Sequence, residues 1–264
     1  MTIGLSTYAF FWQLSDRVEK PLTLFDVLDR TADADVSLLQ ICDYQAIESM
    51  LPGELRDLRA AADQAGIELE LGTRGLAPEH LRRYLDIAEI LGATTLRSMV
   101  NSTPAEAEEC IRLVLPRLVD QGVTLALETY EKVPTGVLVE LVERIGHPRI
   151  GHPRIGICLD PANVVAALEH PRTVIDQTAA HVVNVHVKDF TFAREDGWVG
   201  FKLIGCPLGE GLLDHAHLVD VVDTRRINQV IEHWLPWQGS PDYTCLLEEQ
   251  WTAHNLDYLR SKQS

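Results

Sequence analysis

Paired cysteines are absent from this sequence. It has five cysteines, they stand far apart, and no two of them form a CxxC motif; they are Cys42, Cys110, Cys158, Cys206 and Cys245. An odd number of separated thiols is typical of reduced cysteines and argues against a disulfide framework. The N-terminal stretch MTIGLSTYAFFWQLSD turns polar too early for a signal peptide. We therefore expect a cytoplasmic protein.

Clusters of basic residues and long apolar runs are also missing. The formal net charge is −16, from 39 acidic and 23 basic residues. A nucleic-acid partner would need clustered Lys and Arg to displace counterions from phosphates. No apolar run approaches the roughly 18 residues that a membrane span needs. These absences exclude nucleic acid and membrane as expected partners and leave a small molecule.

What is present is an alternation of short apolar runs with longer amphipathic ones. Apolar residues recur at three- and four-residue steps in 54–64, 79–91 and 105–120, which predicts helices there. The candidate strands are 3–8, 36–43, 67–72, 94–100, 123–129, 155–160, 182–189 and 244–249. Eight strands alternating with helices predict a closed barrel or an open doubly wound sheet.

The barrel is favoured because no GxGxxG or GxxxxGK[ST] motif follows the first strand to mark a nucleotide site. No linker-like or low-complexity stretch divides the chain. The prediction is an α/β fold, a single (β/α)₈ TIM barrel, with one domain over 1–264. A tandem GHPRI repeat at 146–155 interrupts the pattern before the sixth strand. We interpret it as a slippage duplication in a loop, with a His-rich metal loop as the alternative.

Polar residues that could bind a metal follow four successive predicted strands. Glu128 ends the fifth, Asp160 the sixth and His186 the seventh, and Glu248 or Glu249 ends the eighth. Side-chain alternation directs the first three of these residues into the barrel. The C-terminal ends of barrel strands meet at one mouth, so these side chains should converge. Any one of them alone is better explained as a helix cap or a salt bridge.

Three carboxylates and one imidazole are suited to a divalent cation. Mn²⁺ is the first expectation, with Mg²⁺, Co²⁺ and Zn²⁺ as alternatives. Without a cation, three buried carboxylates would repel one another strongly.

Further polar residues are candidates for substrate contacts. Lys188 shares a face with His186 and would bind an oxyanion, a carboxylate or a phosphate, or else form a salt bridge. Arg97 ends the fourth strand and is a similar candidate. Gln40 and Glu70 are weaker candidates, because polar residues inside a barrel often only brace each other. Asp189 lies on the opposite face and is expected to cap or brace a neighbouring element.

Several motifs, in this order, resemble the xylose isomerase-like family of sugar and sugar-phosphate isomerases and epimerases. That group includes the tagatose 3-epimerase type and the inosose dehydratases. The resemblance runs from GLSTYAF at 4–10 to CLLEE at 245–249. Its motifs are LALE at 125–128, GICLDPAN at 156–163, VHVKDF at 185–190, PLGEGLLD at 207–214 and YTCLLE at 243–248. The related endonuclease IV type fits poorly, because its additional histidines are lacking and the chain is strongly acidic.

The resemblance implies metal ligands at Glu128, Asp160, His186 and Glu248. It also implies that Glu128 and Glu248 act as the catalytic acid and base, and that Glu210, inside a GEG segment, contacts substrate. Asn163 stands where the epimerases usually have a substrate-binding histidine. The resembling enzymes are often oligomers, so a homo-oligomer is expected by analogy.

The expected function is therefore a metal-dependent isomerase or epimerase that acts on a ketose or related sugar through a metal-stabilised enediolate. The alternative is a metal-dependent lyase, a dehydratase or decarboxylase acting on an oxo-sugar, inosose or oxo-sugar acid. Asn163 favours this alternative, because an amide cannot carry a proton as histidine can. A non-enzymatic sugar-binding role ranks third.

Overall fold

The computed structural model describes residues 2–146 and 154–262. The barrel strands are β1 (Ile3–Ser6), β2 (Leu38–Cys42), β3 (Glu68–Gly72), β4 (Thr95–Ser98), β5 (Thr124–Glu128), β6 (Ile155–Leu159), β7 (Val182–Val187) and β10 (Gln229–Ile231). They pair in parallel and close in the order β1-β10-β7-β6-β5-β4-β3-β2. The prediction of a (β/α)₈ TIM barrel is confirmed.

Eight α-helices lie among the described residues and surround the barrel. They are α1 (Leu24–Asp33), α2 (Pro52–Ala65), α3 (Pro78–Leu91), α4 (Pro104–Gln121), α5 (Thr135–Ile145), α6 (Pro171–Thr178), α7 (His215–Val221) and α8 (Pro241–Ser261). Thr103 caps α4 by accepting a hydrogen bond from the backbone N–H of Glu106. Three helices end at Gly66, Gly92 and Gly122, whose φ angles of 68°, 67° and 72° suit glycine. Apolar side chains between strands and helices form the core.

The prediction of a strand at 244–249 is wrong, because these residues lie within α8. Ser240 caps this helix and Pro241 occupies its first turn, which are helix-start signals. Buried residues then recur at the helical step of four, at Thr244, Glu248 and Thr252. The eighth barrel strand is instead β10, a three-residue strand between β7 and β1.

An antiparallel hairpin, absent from the sequence-based prediction, separates β7 from α7. It consists of β8 (Asp189–Arg194) and β9 (Phe201–Cys206), which pair from Asp189 with Cys206 to Arg194 with Phe201. The predicted strand 182–189 therefore ends at Val187, and Asp189 begins the hairpin. The last two residues of this predicted strand belong to the barrel mouth and not to the barrel wall.

Most of the GHPRI repeat lies outside the described residues, since 147–153 are not covered. Its interpretation as a loop duplication stays a prediction. Among the described helices, none combines the length and the apolar character needed to cross a membrane.

Candidate metal centre and active site

Three of the four residues predicted as metal ligands converge at the barrel mouth. Glu128 ends β5, Asp160 follows β6 and His186 lies in β7, and all three are buried. One potential ligand atom from each lies within 4.8 Å of the other two. The His186 Nδ1 atom is 3.4 Å from Glu128 Oε1 and 3.9 Å from Asp160 Oδ2. The parallel strands bring these atoms to one place because they end at the same side of the barrel.

Glu232 joins this group, and the sequence reasoning missed it. It directly follows β10, where Val230 pairs in register with His186. Alternation therefore turns Glu232 inward, one layer above His186. Its Oε1 atom lies 3.4 Å from His186 Nδ1, and Ser6 Oγ donates a hydrogen bond to it at 3.1 Å. We use the name ligand cluster for four residues, Glu128, Asp160, His186 and Glu232.

A sequence signal for Glu232 exists but is short. QVIE at 229–232 repeats the pattern of LALE at 125–128, an apolar strand that ends in glutamate. Only three of its residues form a strand, whereas CLLEE offered a longer apolar run. CLLEE lies in helix α8, so its apolar residues belong to a helix and not to a strand.

Glu248 occupies a different environment from the one the sequence predicted. Its buried carboxylate accepts hydrogen bonds from Trp12 N at 2.9 Å, Gln13 N at 3.1 Å and Gln13 Nε2 at 3.1 Å. Burial raises the pKa of Glu248 to about 7, although these hydrogen bonds oppose the shift. Glu249 is exposed and pairs with Arg30. Glu248 was predicted as a ligand and an acid/base because it was expected at the end of a strand. The structure places it on α8 instead, where it is hydrogen-bonded to the segment after β1.

The donor set of the ligand cluster fits a divalent cation. Among the described residues, the buried Nδ1 atom of His186 has no hydrogen-bond partner, although three carboxylates surround it. The Oδ1 atom of Asp160 accepts from the backbone N–H groups of Ala162 and Asn163, so Oδ2 is left to face the site. Carboxylate oxygens with one imidazole nitrogen suit Mn²⁺, Mg²⁺ or Zn²⁺. Burial lowers the pKa of His186, but Cys158 and Glu232 outweigh it and raise the value. This position therefore favours a positive charge at Nδ1, from a proton or from a bound cation.

Two buried cations lie against the cluster. The Lys188 Nζ atom is 2.7 Å from Asp160 Oδ2 and 2.8 Å from Glu232 Oε2. The Arg97 guanidinium pairs with Glu128 and also with Asp43, at 3.2 Å. Both residues were predicted as substrate anchors, and the structure brings both to the mouth.

Burial and these ion pairs have opposite effects on the pKa values of the carboxyl groups, and their balance differs between Glu128 and Asp160. Burial raises the pKa of Glu128, but Arg97 and His186 outweigh it and hold the value well below its usual range. Burial raises the pKa of Asp160 to about 6, with Lys188 opposing. Burial lowers the pKa of Lys188, but Asp160 and Glu232 outweigh it and raise the value. The cluster therefore favours positive charge, from a cation or from Lys188.

A cavity of about 360 Å³ opens above the ligand cluster. Its lining includes Tyr8, Arg74, Arg97, Asn163, Lys188 and Trp234. Asn163, a predicted substrate contact, donates to Glu128 Oε1 at 2.8 Å and to the Thr129 carbonyl at 3.3 Å. It therefore orients Glu128 as well as facing the cavity.

Glu210 is not brought to this cavity. It is exposed in the loop after β9, where the neighbouring N–H groups of Gly209 and Gly211 donate to the Asp189 carboxylate. Asp189 therefore braces this loop, as the strand alternation predicted. Gln40 and Glu70 lie below the cluster inside the barrel and do not line the cavity.

Comparison with known proteins places this arrangement in a family. Residues 28–262 match the family model described as xylose isomerase-like TIM barrel. The chain is 51% identical to 3-oxo-isoapionate decarboxylase of Pectobacterium atrosepticum, over 99% of this chain and 96% of that protein.

Solved structures share the fold at low identity. One is D-psicose 3-epimerase with D-tagatose from Clostridium cellulolyticum H10, with TM-score 0.72, 13% identity and 99% of each chain covered. Another is a xylose isomerase-like TIM barrel protein from Mycobacterium smegmatis in complex with magnesium. It has TM-score 0.68 and 12% identity, and the match covers 97% of this chain and 96% of that one. The protein is an enzyme of the xylose isomerase-like TIM barrel family.

Proposed function

We propose that this enzyme is a metal-dependent decarboxylase of a 3-oxo sugar acid, with 3-oxo-isoapionate or a close analogue as its substrate. The observation that carries the proposal is the 51% identity to a 3-oxo-isoapionate decarboxylase over nearly the whole chain. A decarboxylase is a lyase, so this relative favours the lyase alternative over the isomerase or epimerase interpretation.

The reaction follows from the position of the ketone in such a substrate. A 3-oxo acid carries its ketone β to the carboxylate, so the bond between C1 and C2 can break with release of carbon dioxide. The electron pair of that bond moves to form a C2–C3 double bond, and the ketone oxygen takes up the negative charge. C2 then takes a proton and the ketone forms again. A divalent ion held by the ligand cluster would act as a Lewis acid for the ketone oxygen.

The charges around the cavity suit an anionic substrate. The cavity lining and its ion-pair partners carry five carboxylates, of Asp43, Glu128, Glu131, Asp160 and Glu232, and four cations, of Arg74, Arg97, Lys132 and Lys188. One divalent cation with a neutral His186 leaves a single positive charge in surplus. A substrate with one carboxylate balances that surplus, whereas a neutral ketose does not.

Arg74 is the residue best placed to bind the substrate carboxylate. Its Nε atom donates to Asp43 Oδ2 at 2.9 Å and its Nη2 atom to Tyr8 Oη at 2.5 Å, which holds the guanidinium at the cavity wall. The side chain is 63% exposed, so a substrate can reach it. A guanidinium can bind a carboxylate through two N–H groups at once.

Lys188 and Arg97 are assigned to the charge that develops on the ketone oxygen. Both are buried, and charge stabilisation is strongest where water is excluded. Decarboxylation also needs no base to remove a C–H proton. The site agrees with this, because Arg97 and His186 hold the pKa of Glu128 well below its usual range, which makes it a weak base, and Asn163 cannot carry a proton.

The test is an assay of the metal-depleted and Mn²⁺-loaded protein with 3-oxo-isoapionate in deuterated water. We expect release of carbon dioxide above the uncatalysed rate only with metal, and one deuterium at the former C2 of the product. Glu128→Gln should abolish release, while Glu249→Gln, at an exposed position, should not. Deuterium exchange into D-psicose or D-tagatose without carbon dioxide release from any 3-oxo acid would overturn the proposal in favour of an epimerase.

A further inference from the structure

A layer of polar side chains lies inside the barrel directly below His186. Gln40 in β2 pairs in register with Glu70 in β3, and Asn184 lies two residues before His186 in β7. All four residues are buried, with at most 4% of their surface exposed. The Nε2 atom of His186 is 2.7 Å from Gln40 Oε1. The ring therefore faces the ligand cluster with Nδ1 and this layer with Nε2.

The Glu70 carboxylate determines how the Gln40 amide is turned. Its Oε2 atom accepts from Gln40 Nε2 at 3.0 Å and from Asn184 Nδ2 at 2.9 Å, and its Oε1 atom accepts from Asn228 Nδ2 at 2.8 Å. A carboxylate only accepts hydrogen bonds, so Gln40 must present its NH₂ group to Glu70. Its carbonyl oxygen is then the atom that faces His186.

That orientation settles which nitrogen of a neutral His186 carries the proton. Gln40 Oε1 can only accept, so Nε2 must donate and Nδ1 keeps a free lone pair. Nδ1 is also the buried atom that lacks a hydrogen-bond partner among the described residues and faces Glu128 and Glu232. A neutral His186 in this tautomer turns toward these carboxylates the nitrogen that can bind a cation.

We propose that Gln40 and Glu70 are positioning residues, which fix the tautomer and the ring orientation of His186 for metal binding. The proposal rests on the metal site of the proposed function, but it does not depend on which substrate is used. The competing explanation is a polar layer that only packs the barrel floor. Outer residues of this kind typically contribute 10- to 100-fold to metal affinity, whereas packing alone acts on stability.

Metal affinity without substrate separates the two explanations. Mn²⁺ binding is measured by calorimetry and by electron paramagnetic resonance for wild type, Gln40→Leu and Glu70→Gln. We expect both variants to bind Mn²⁺ about 10- to 100-fold more weakly. Glu70→Gln preserves the size of the side chain but no longer forces the Gln40 NH₂ group toward position 70. Weaker Mn²⁺ binding by this variant would therefore show that the orientation of the Gln40 amide matters. Asn228→Ala is the matched control, because it removes a donor from the other Glu70 oxygen, and its affinity should be unchanged.

A double exchange tests the direction of the hydrogen bonds. The double variant combines Gln40→Glu with Glu70→Gln. Its glutamate at position 40 can accept from His186, and its glutamine at position 70 can donate to that glutamate. We expect this variant to regain most of the affinity that Glu70→Gln loses. No recovery, or wild-type affinity in a folded Glu70→Gln, would overturn the proposal.

The tautomer itself is visible in the wild-type protein, even if the variants fail to fold. Nitrogen-15 spectra of the Zn²⁺-loaded protein should show the His186 ring proton on Nε2. A proton on Nδ1 would overturn the proposal. Failure of the decarboxylase assay with normal Mn²⁺ binding would reject the proposed function and leave this inference standing.

Discussion

The two oxygens of Glu232 have different partners. Oε1 faces His186 Nδ1 and accepts from Ser6 Oγ, while Oε2 pairs with Lys188. Glu232 therefore links His186 to Lys188, the residue assigned to stabilise the ketone oxygen. The pKa of Glu232 is lowered although burial opposes the shift, because His186 and Lys188 favour its ionised form. An ionised carboxylate is the form that binds a metal.

Glu232 and Glu248 should behave oppositely when each is changed to glutamine. Glu232→Gln removes a charged ligand and should weaken Mn²⁺ binding at least about tenfold. Glu248→Gln should leave the affinity unchanged, because its carboxylate is bonded to Trp12 and Gln13 and not to the cluster. Calorimetric titration with Mn²⁺ checks both variants. The reverse result would restore Glu248 as the ligand.

Glu248 should also make the stability of the protein depend on pH. Its folded-state pKa of about 7 lies above its ordinary value of 4.5, so the folded state holds a proton that the unfolded chain releases. Its contribution is therefore present below about pH 4.5 and is lost as the pH rises through 7. Relative to Glu248→Gln, wild type should lose about 2–3 kcal/mol of unfolding free energy between pH 5 and pH 8.

Urea unfolding of both proteins at the two pH values measures this difference. Glu249→Gln, at an exposed position of the same helix, serves as the control and should keep the pH response of wild type, because it retains Glu248. An equal pH response of wild type and Glu248→Gln would show that Glu248 is ionised throughout.

At the scale of elements, the loop after β9 is folded around one aspartate at the start of the hairpin of β8 and β9. The buried Asp189 carboxylate accepts from Phe190 N at 2.8 Å, Gly209 N at 3.0 Å, Gly211 N at 3.0 Å and Leu213 N at 2.8 Å. A side chain at Gly211 would overlap this carboxylate, because a Cβ there would lie 2.3 Å from Oδ1. The loop therefore folds closely around a single charge.

Asp189→Asn should destabilise the protein by about 2–3 kcal/mol, since an amide nitrogen replaces one oxygen and leaves buried N–H donors unpaired. Thermal and urea unfolding measure the loss. Asp196→Asn, exposed at the tip of the same hairpin, is the matched control and should have no effect. A wild-type melting temperature for Asp189→Asn would show that the hairpin does not depend on this network.

At the scale of the whole molecule, barrel closure brings several buried carboxylates close together, and their mutual repulsion has to be offset by positive charge. Strands that are distant in sequence, β5, β7 and β10, direct Glu128, His186 and Glu232 to one point. Lys188 and Arg97 offset part of this charge. A bound cation would offset the remainder and would stabilise only the folded chain.

Metal removal should therefore lower the melting temperature. At a metal concentration 100 times the dissociation constant, binding adds about 2.7 kcal/mol, which corresponds to roughly 5–10 °C for a domain of this size. Calorimetric scans with EDTA and with Mn²⁺ measure the shift, and Glu128→Gln should show little of it. Identical scans with and without metal would argue against a cation at this site.

How much of the site could be predicted varies with the length of each strand. Along β5, β6 and β7, alternating residues within one segment were enough to place Glu128, Asp160 and His186 inward. Glu232 could not be found in this way, because β10 has three residues and almost no pattern of its own. Its pairing with β1 and β7 stabilises it, and those contacts are distant in sequence.

The sequence by itself determined the alternation of strands and helices, the barrel that follows from it, and three residues of the ligand cluster at strand ends, because these depend on local periodicity. Only the tertiary structure decided that Glu232 completes the cluster, that Glu248 belongs to a helix, and that Glu70 turns the Gln40 amide toward His186. Each of these depends on which side chain meets another across the closed barrel. Barrel closure brings together residues whose order in the chain carries no record of that contact.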